Sequence, residues 1–119
     1  MNMKALIITE DESSEFVRML YVKKHTAFIR RNLISALDLL KHENIDLLII
    51  DKSNVVEDLL EFILNAYDVA IQIKIFIHAD LPYDKGWEKI IPLGKYVESI
   101  RPDFFIERLS KLENRITKY

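Results

Sequence analysis

The sequence predicts an α/β fold, a three-layer sandwich with a five-stranded parallel sheet between two layers of helices. Three observations predict it. Short runs rich in Ile, Leu, Val and Phe alternate with stretches whose apolar residues recur at helical spacing. The clearest run, Leu47-Leu48-Ile49-Ile50, is apolar at every position, as a strand covered on both faces requires. No linker and no internal repeat divides the 119 residues, so residues 1–119 are expected to form one domain.

The elements follow in order. Lys4 to Thr9 is a continuous apolar run that reads as the first strand. Ser13 and Ser14 can cap the helix after it, with Phe16, Val17, Leu20 and Tyr21 at helical spacing. Ala27 to Arg30 is a weaker strand, expected near an edge. Asn32 caps a second helix whose Leu33, Ala36, Leu37 and Leu40 form one stripe. Ile45 to Ile50 is the third strand, expected near the centre of the sheet, and it ends on Asp51. Asn54 and Glu57 suit a helix start, followed by Val56, Leu59, Leu60 and Ile63 as the core stripe. Ile71 to Ile77 is the fourth strand and leads to His78. A short helix around Trp87, Ile90 and Ile91 is stopped by Pro92 and Gly94. Tyr96 to Ile100 is the fifth strand, interrupted by Glu98. Pro102 and Asp103 open the last helix, with Phe105, Leu109, Leu112 and Ile116 on one stripe.

Composition removes several classes of function. There is no Cys, hence no disulfide, thiolate nucleophile or Cys-based zinc site. The net charge of −2 supplies no basic field for nucleic acid or anionic membrane. No signal-peptide pattern and no membrane-length apolar run is present, so a cytoplasmic protein is expected. Both glycines, Gly86 and Gly94, lie in the last third of the chain. A dinucleotide fingerprint or P-loop needs glycines at the first strand–helix turn, and here that turn is Thr9-Glu10-Asp11-Glu12.

In an open parallel sheet, ligands bind beyond the carboxyl ends of the strands. The residues there are Glu10, Asp11, Asp51, His78 and Arg101. Carboxylates brought that close repel one another unless a cation intervenes. Oxygen ligands with room for water suit Mg²⁺, and an aspartate beside it could attack a phosphoryl group.

These motifs resemble the receiver domain of two-component response regulators along essentially the whole chain. The resemblance rests on "LIITEDE", "IDLLIID", "IFIHA" and "GKYVESIRP" at the ends of the first, third, fourth and fifth strands. It implies a sheet ordered 2-1-3-4-5, an acid pair for Mg²⁺ at Glu10 and Asp11, and a phosphoacceptor at Asp51. It also implies a Ser53 carbonyl in the metal shell and a histidine kinase as phosphoryl source. The family's switch Thr or Ser falls on His78, and its fifth-strand Lys falls on Arg101. Its Pro four residues beyond the acceptor is Val55, and its Gly in the following helix start is Leu59. Imidazole lacks the hydroxyl that follows an incoming phosphoryl group, and Arg has a different reach from Lys.

The expected function is therefore a stand-alone receiver-like module that docks to a signalling partner independently of phosphorylation. Arg101 and His78 are two built-in cations for the acids, so Mg²⁺ affinity is expected to be weak or absent. Two alternatives stand beside this: a receiver phosphorylated on Asp51, and a small Mg²⁺-dependent phosphohydrolase. The second lacks an obvious proton donor, because Lys52-Ser53-Asn54 carries no acid; no enzymatic activity is expected. The resemblance places docking or weak homodimerisation on the face of the fourth helix, fifth strand and last helix, including Trp87, Lys89, Tyr96, Phe104 and Arg108. Phe104 and Ile106 fall off the core stripe, while Arg108, Lys111, Arg115 and Lys118 read as a solvated face, so nucleic acid is not an expected partner. His25 and His42 fall at helix ends and are assigned no chemistry.

Overall fold

The computed structural model describes residues 2–11, 13–51, 59–70, 73–78 and 97–117. Within them lie strands β1 (Lys4–Ile8), β2 (Thr26–Arg30), β3 (Leu47–Asp51), β4 (Lys74–His78) and β5 (Val97–Ser99). Helices are α1 (Glu15–Val22), α2 (Leu33–His42), α3 (Leu59–Val69) and α4 (Pro102–Thr117). All strand pairs are parallel, and the order is β2-β1-β3-β4-β5. The expected α/β sandwich is thus present, with β3 central and β2 at an edge.

The period-two alternation of each strand divides the core into two layers. Ala5, Ile7, Leu47, Ile49 and Phe76 face α1 and α4, where they meet Phe16, Val17, Leu20, Phe105 and Leu109. Leu6, Ile8, Leu48, Ile50, Ile75 and Ile77 face α2 and α3, meeting Leu33, Ala36, Leu40, Phe62, Ile63 and Ala66. Both faces of the central strands are dry, which is why their sequences show no polar alternation.

The expected caps form. Ser14 Oγ accepts from Phe16 N at 3.2 Å, and Asn32 Oδ1 accepts from Ser35 N at 2.9 Å. His42 closes α2 through a contact of Nδ1 with the Asp38 carbonyl at 2.8 Å. The readings around Asn54, Glu57, Trp87, Pro92, Gly94 and Tyr96 lie outside the described residues, as does the start proposed for the fourth strand at Ile71.

Three local readings are corrected. Tyr21 is exposed, at 58%. It sits in the last turn of a short helix, roughly 90° from the middle of the Phe16–Val17–Leu20 stripe at 3.6 residues per turn. Glu98 does not break its strand. By register it faces the α4 side, where its carboxylate meets Lys74 Nζ and Arg108 Nη1, each at 2.8 Å. His25 lies beyond the end of α1 and is buried at the foot of the sheet. Its Nδ1 accepts the Met3 amide at 3.0 Å, and its Nε2 lies 3.5 Å from Glu113 Oε1 of α4. Lys23 Nζ reaches the same carboxylate oxygen at 3.7 Å. The turn leading there is tight: His25 N donates to Leu20 O at 2.9 Å, and Lys24 takes the left-handed conformation, φ 64°.

Candidate functional site

Thr9, Asp51 and His78 belong to one face of the sheet by the same alternation that builds the core. Counting in twos, they continue Ala5–Ile7, Leu47–Ile49 and Phe76, and all three turn toward α1 and α4. Register then makes them neighbours. Asp51 pairs directly with His78 across β3 and β4, and Ile8 pairs with Ile50 one residue before Thr9 and Asp51.

The side chains meet as that layout requires. His78 Nδ1 lies 3.3 Å from Asp51 Oδ1, and Thr9 Oγ1 donates to Asp51 Oδ2 at 3.3 Å. An ionised carboxylate only accepts, so the proton in the first contact sits on Nδ1. Both distances are at the long end for hydrogen bonds, and the contacts are correspondingly soft. The Thr9 hydroxyl also accepts from Asp11 N at 3.0 Å, which links the β1 turn to Asp51. The Asp51 side chain is 12% exposed and that of His78 25%. The His78 ring rests against Phe16 of α1, centroids 5.3 Å apart and planes at 66°. Imidazole is thereby held by a carboxylate at one nitrogen and by an aromatic ring beside it.

The other acids are arranged differently from the expected shared cluster. Asp11 Oδ1 accepts from Ser13 Oγ at 2.6 Å and from Ser13 N at 2.9 Å. The side-chain bond first, and the backbone bond second, hold this exposed carboxyl below the ordinary aspartate range. Asp11 is thus an Asx turn leading into α1. Glu10 is exposed in the bend before it, and Ser53 lies outside the described residues. Arg101 turns away from Asp51. Its guanidinium pairs with Asp103 Oδ2 at 3.3 Å, stands over the Phe104 ring at 5.9 Å, and is 71% exposed. Two residues apart at a helix start, Arg101 and Asp103 meet without spanning the crevice.

Among the described residues, no three His, Asp or Glu side chains converge as a metal shell. Mg²⁺ asks for near-octahedral oxygen donors. Here Asp51 faces an N–H and an O–H, and Asp11 Oδ1 holds Ser13. In this arrangement the described carboxylates at the strand ends are held by the chain's own donors.

No protein-family model matches the chain, and no curated protein matches it in sequence. Solved structures do match. A CheY-like receiver domain protein from Methanospirillum hungatei superposes with a TM-score of 0.79 over 100% of both chains, at 14% identity. The receiver domain of NtrC4 from Aquifex aeolicus gives 0.73 over 98% of both, at 16% identity. The chemotaxis response regulator CheY4 of Vibrio cholerae gives 0.66 over 94% of this chain and 99% of its own, at 15% identity. The chain has the receiver-domain fold. At such identities the likeness is one of architecture, and the contents of the strand-end site are this chain's own. In this receiver fold, two of those contents escaped the sequence reading. Thr9 looked like the end of an apolar run, and Phe16 like an ordinary core residue. The signal for Thr9 was the strand alternation carried one step past the last apolar residue of β1; Phe16, on a helix, carried no such signal.

Proposed function

We propose that the chain is a receiver-like signalling module that acts by docking to a partner protein, with its strand-end aspartate engaged by the chain itself. The contact between Asp51 and His78 carries this reading. An imidazole N–H and a threonine hydroxyl occupy the two oxygens that Mg²⁺ and a phosphoryl donor would have to address. Metal affinity is accordingly weak or nil. Output is by contact, through α4 and its neighbours. Phe104 is 50% exposed there, beside exposed Ile106 and the paired Arg108. Trp87, Lys89 and Tyr96 complete this face by resemblance and lie outside the described residues. A partner protein, or a weak homodimer, would meet it. Among the described residues no helix is long and apolar enough to cross a membrane, and a cytoplasmic setting fits the reading.

A second reading is favoured by one observation: Asp51 stands at the end of the central strand and keeps some exposure. In that reading a histidine kinase phosphorylates Asp51. Incubation with a small phosphodonor and Mg²⁺, followed by intact mass, separates the two. No adduct is expected in wild type. An adduct that disappears in Asp51→Asn replaces the first reading by the second.

A further inference from the structure

On the side away from β5 the sheet ends at β2, and there its backbone is open. Thr26 N donates to Met3 O and Arg30 O accepts from Thr9 N, so Thr26, Phe28 and Arg30 are the residues bonded to β1. By the two-residue period, the N–H and C=O groups of Ala27 and Ile29 point out of the sheet. Arg30 Nη1 donates to Ile29 O at 2.8 Å and covers one of these groups with the strand's own side chain. The middle of the strand is apolar, and Ala27, Phe28 and Ile29 are each only partly buried. Exposed Tyr21 of α1 stands beside them. At about 100° per residue it lies about 140° round the helix from Phe16, whose ring meets Phe105 of α4, and so on the β2 flank of α1.

Charge selects what this edge takes. From Lys23 to Arg31 the sequence reads KKHTAFIRR, four cations and no acid in a chain of net charge −2. Lys23 leans on Glu113 of α4 at 3.7 Å, and His25 is buried. Lys24 before the strand and Arg30 at its end form no ion pair among the described residues. A charge at a sheet border ordinarily turns a further strand away. It does so here for a second copy, because antiparallel pairing of two β2 strands sets the Lys24 end of one against the Arg30 end of the other, and parallel pairing sets like ends together. A segment with acids at both ends reverses the sign. Its carboxylate takes the Arg30 guanidinium, and its amide takes the Ile29 carbonyl that Arg30 releases. The opposite border has no such vacancy, since Glu98 of β5 is already matched by Lys74 and Arg108.

We propose that the open edge of β2 is a docking site for an extended segment of a partner protein, apolar in its middle and acidic at both ends, which adds to the sheet as a further strand. The site depends neither on the α4 face nor on the state of Asp51. Main-chain pairing to Ala27 and Ile29 holds the segment, and Lys24 and Arg30 choose it.

The test titrates the full chain with a capped peptide carrying Val-Tyr-Val between two pairs of Glu, followed by backbone amide NMR and hydrogen exchange. The Ala27 and Ile29 amides should shift and exchange several-fold more slowly, while Phe28, already bonded to β1, keeps its rate. The same peptide with Lys in place of Glu, or with Pro-Tyr-Pro at its centre, should leave both amides unchanged, because the first has the wrong sign and the second lacks the strand's N–H groups. Arg30→Glu should weaken binding of the acidic peptide several-fold and admit the Lys peptide. If that variant does not fold, Lys24→Glu, in the exposed turn, makes the same reversal. No change at Ala27 and Ile29 with millimolar acidic peptide overturns the proposal. Equal binding of the Pro peptide also overturns it, since charge alone would then account for the contact. Slower exchange of the two amides with rising protein concentration and no peptide would give the edge to a second copy instead.

Discussion

Phe104 and Phe105 are adjacent in sequence and opposite in circumstance, so truncating each in turn is a sharp test of the packing. Phe105 is fully buried between α4 and the sheet and makes edge-to-face contacts with Phe16 and Phe76. A buried Phe removes about 150–250 Å² from water. At about 25 cal/mol per Å², and after allowing for what Ala still buries, the loss on truncation is about 3–5 kcal/mol, cavity included. A domain of this size has about 6–18 kcal/mol in hand, so Phe105→Ala should fold but melt about 10–20 °C lower. Phe104 is half exposed, and among the described residues its ring meets an exposed guanidinium. Such a pair contributes about 0.5–1 kcal/mol, and Phe104→Ala should cost no more than that. Urea titration followed by far-UV circular dichroism and by tyrosine fluorescence measures both variants on one scale. Equal costs, or a larger cost at Phe104, would show that α4 is rotated from the setting described and would refute the reasoning.

Three further outcomes are expected. Lys24→Gly should stabilise by about 0.5–1 kcal/mol, because Gly relieves the left-handed backbone while gaining freedom when unfolded; Lys24→Ala, which keeps the strain, should not, and thermal melts of both decide it. Ser13→Ala should move the Asp11 titration upward toward the ordinary aspartate value, read by carboxyl NMR. The sign follows from the depressed folded value: Asp11 contributes stability above its unfolded pKa and loses it as pH falls through the folded one, so the variant should lag wild type at neutral pH and match it in strong acid. Calorimetric titration with Mg²⁺ should show weak binding that tightens several-fold in His78→Thr, since the substitution removes the imidazole from Asp51 Oδ1; equal affinity in both proteins would mean that His78 does not guard the carboxylate.

The fold was legible because its strands are apolar on both faces and its helices carry their own punctuation. Leu47 to Ile50 could sit only in the middle of a covered sheet, and Ser14 and Asn32 mark helix starts by chemistry local to each. The site was legible in position and only partly in content. Register follows from strand order, so Asp51 beside His78 could be anticipated. Which partner each charge would choose could not, because that is a competition between distances. Arg101 finds Asp103 two residues away, and Asp11 finds Ser13. In both cases a local partner wins over the crevice. His25 shows the same limit in reverse: its burial depends on the Met3 amide, 22 residues away, needing an acceptor where the sheet begins.

Glu98 has a further consequence. β5 is the outermost described strand on its side of the sheet, and such a border offers unpaired backbone groups to any stray chain in extended form. Here the border strand is three residues long and has an acid at its middle. That acid is clasped by Lys74 and Arg108, so it is fixed in place at the rim. A second copy adding itself as a sixth strand along the described part of β5 would find a charged group beside it. Polymerisation through backbone pairing is discouraged along the described part of β5, which sets this rim apart from the exposed Phe104 of α4.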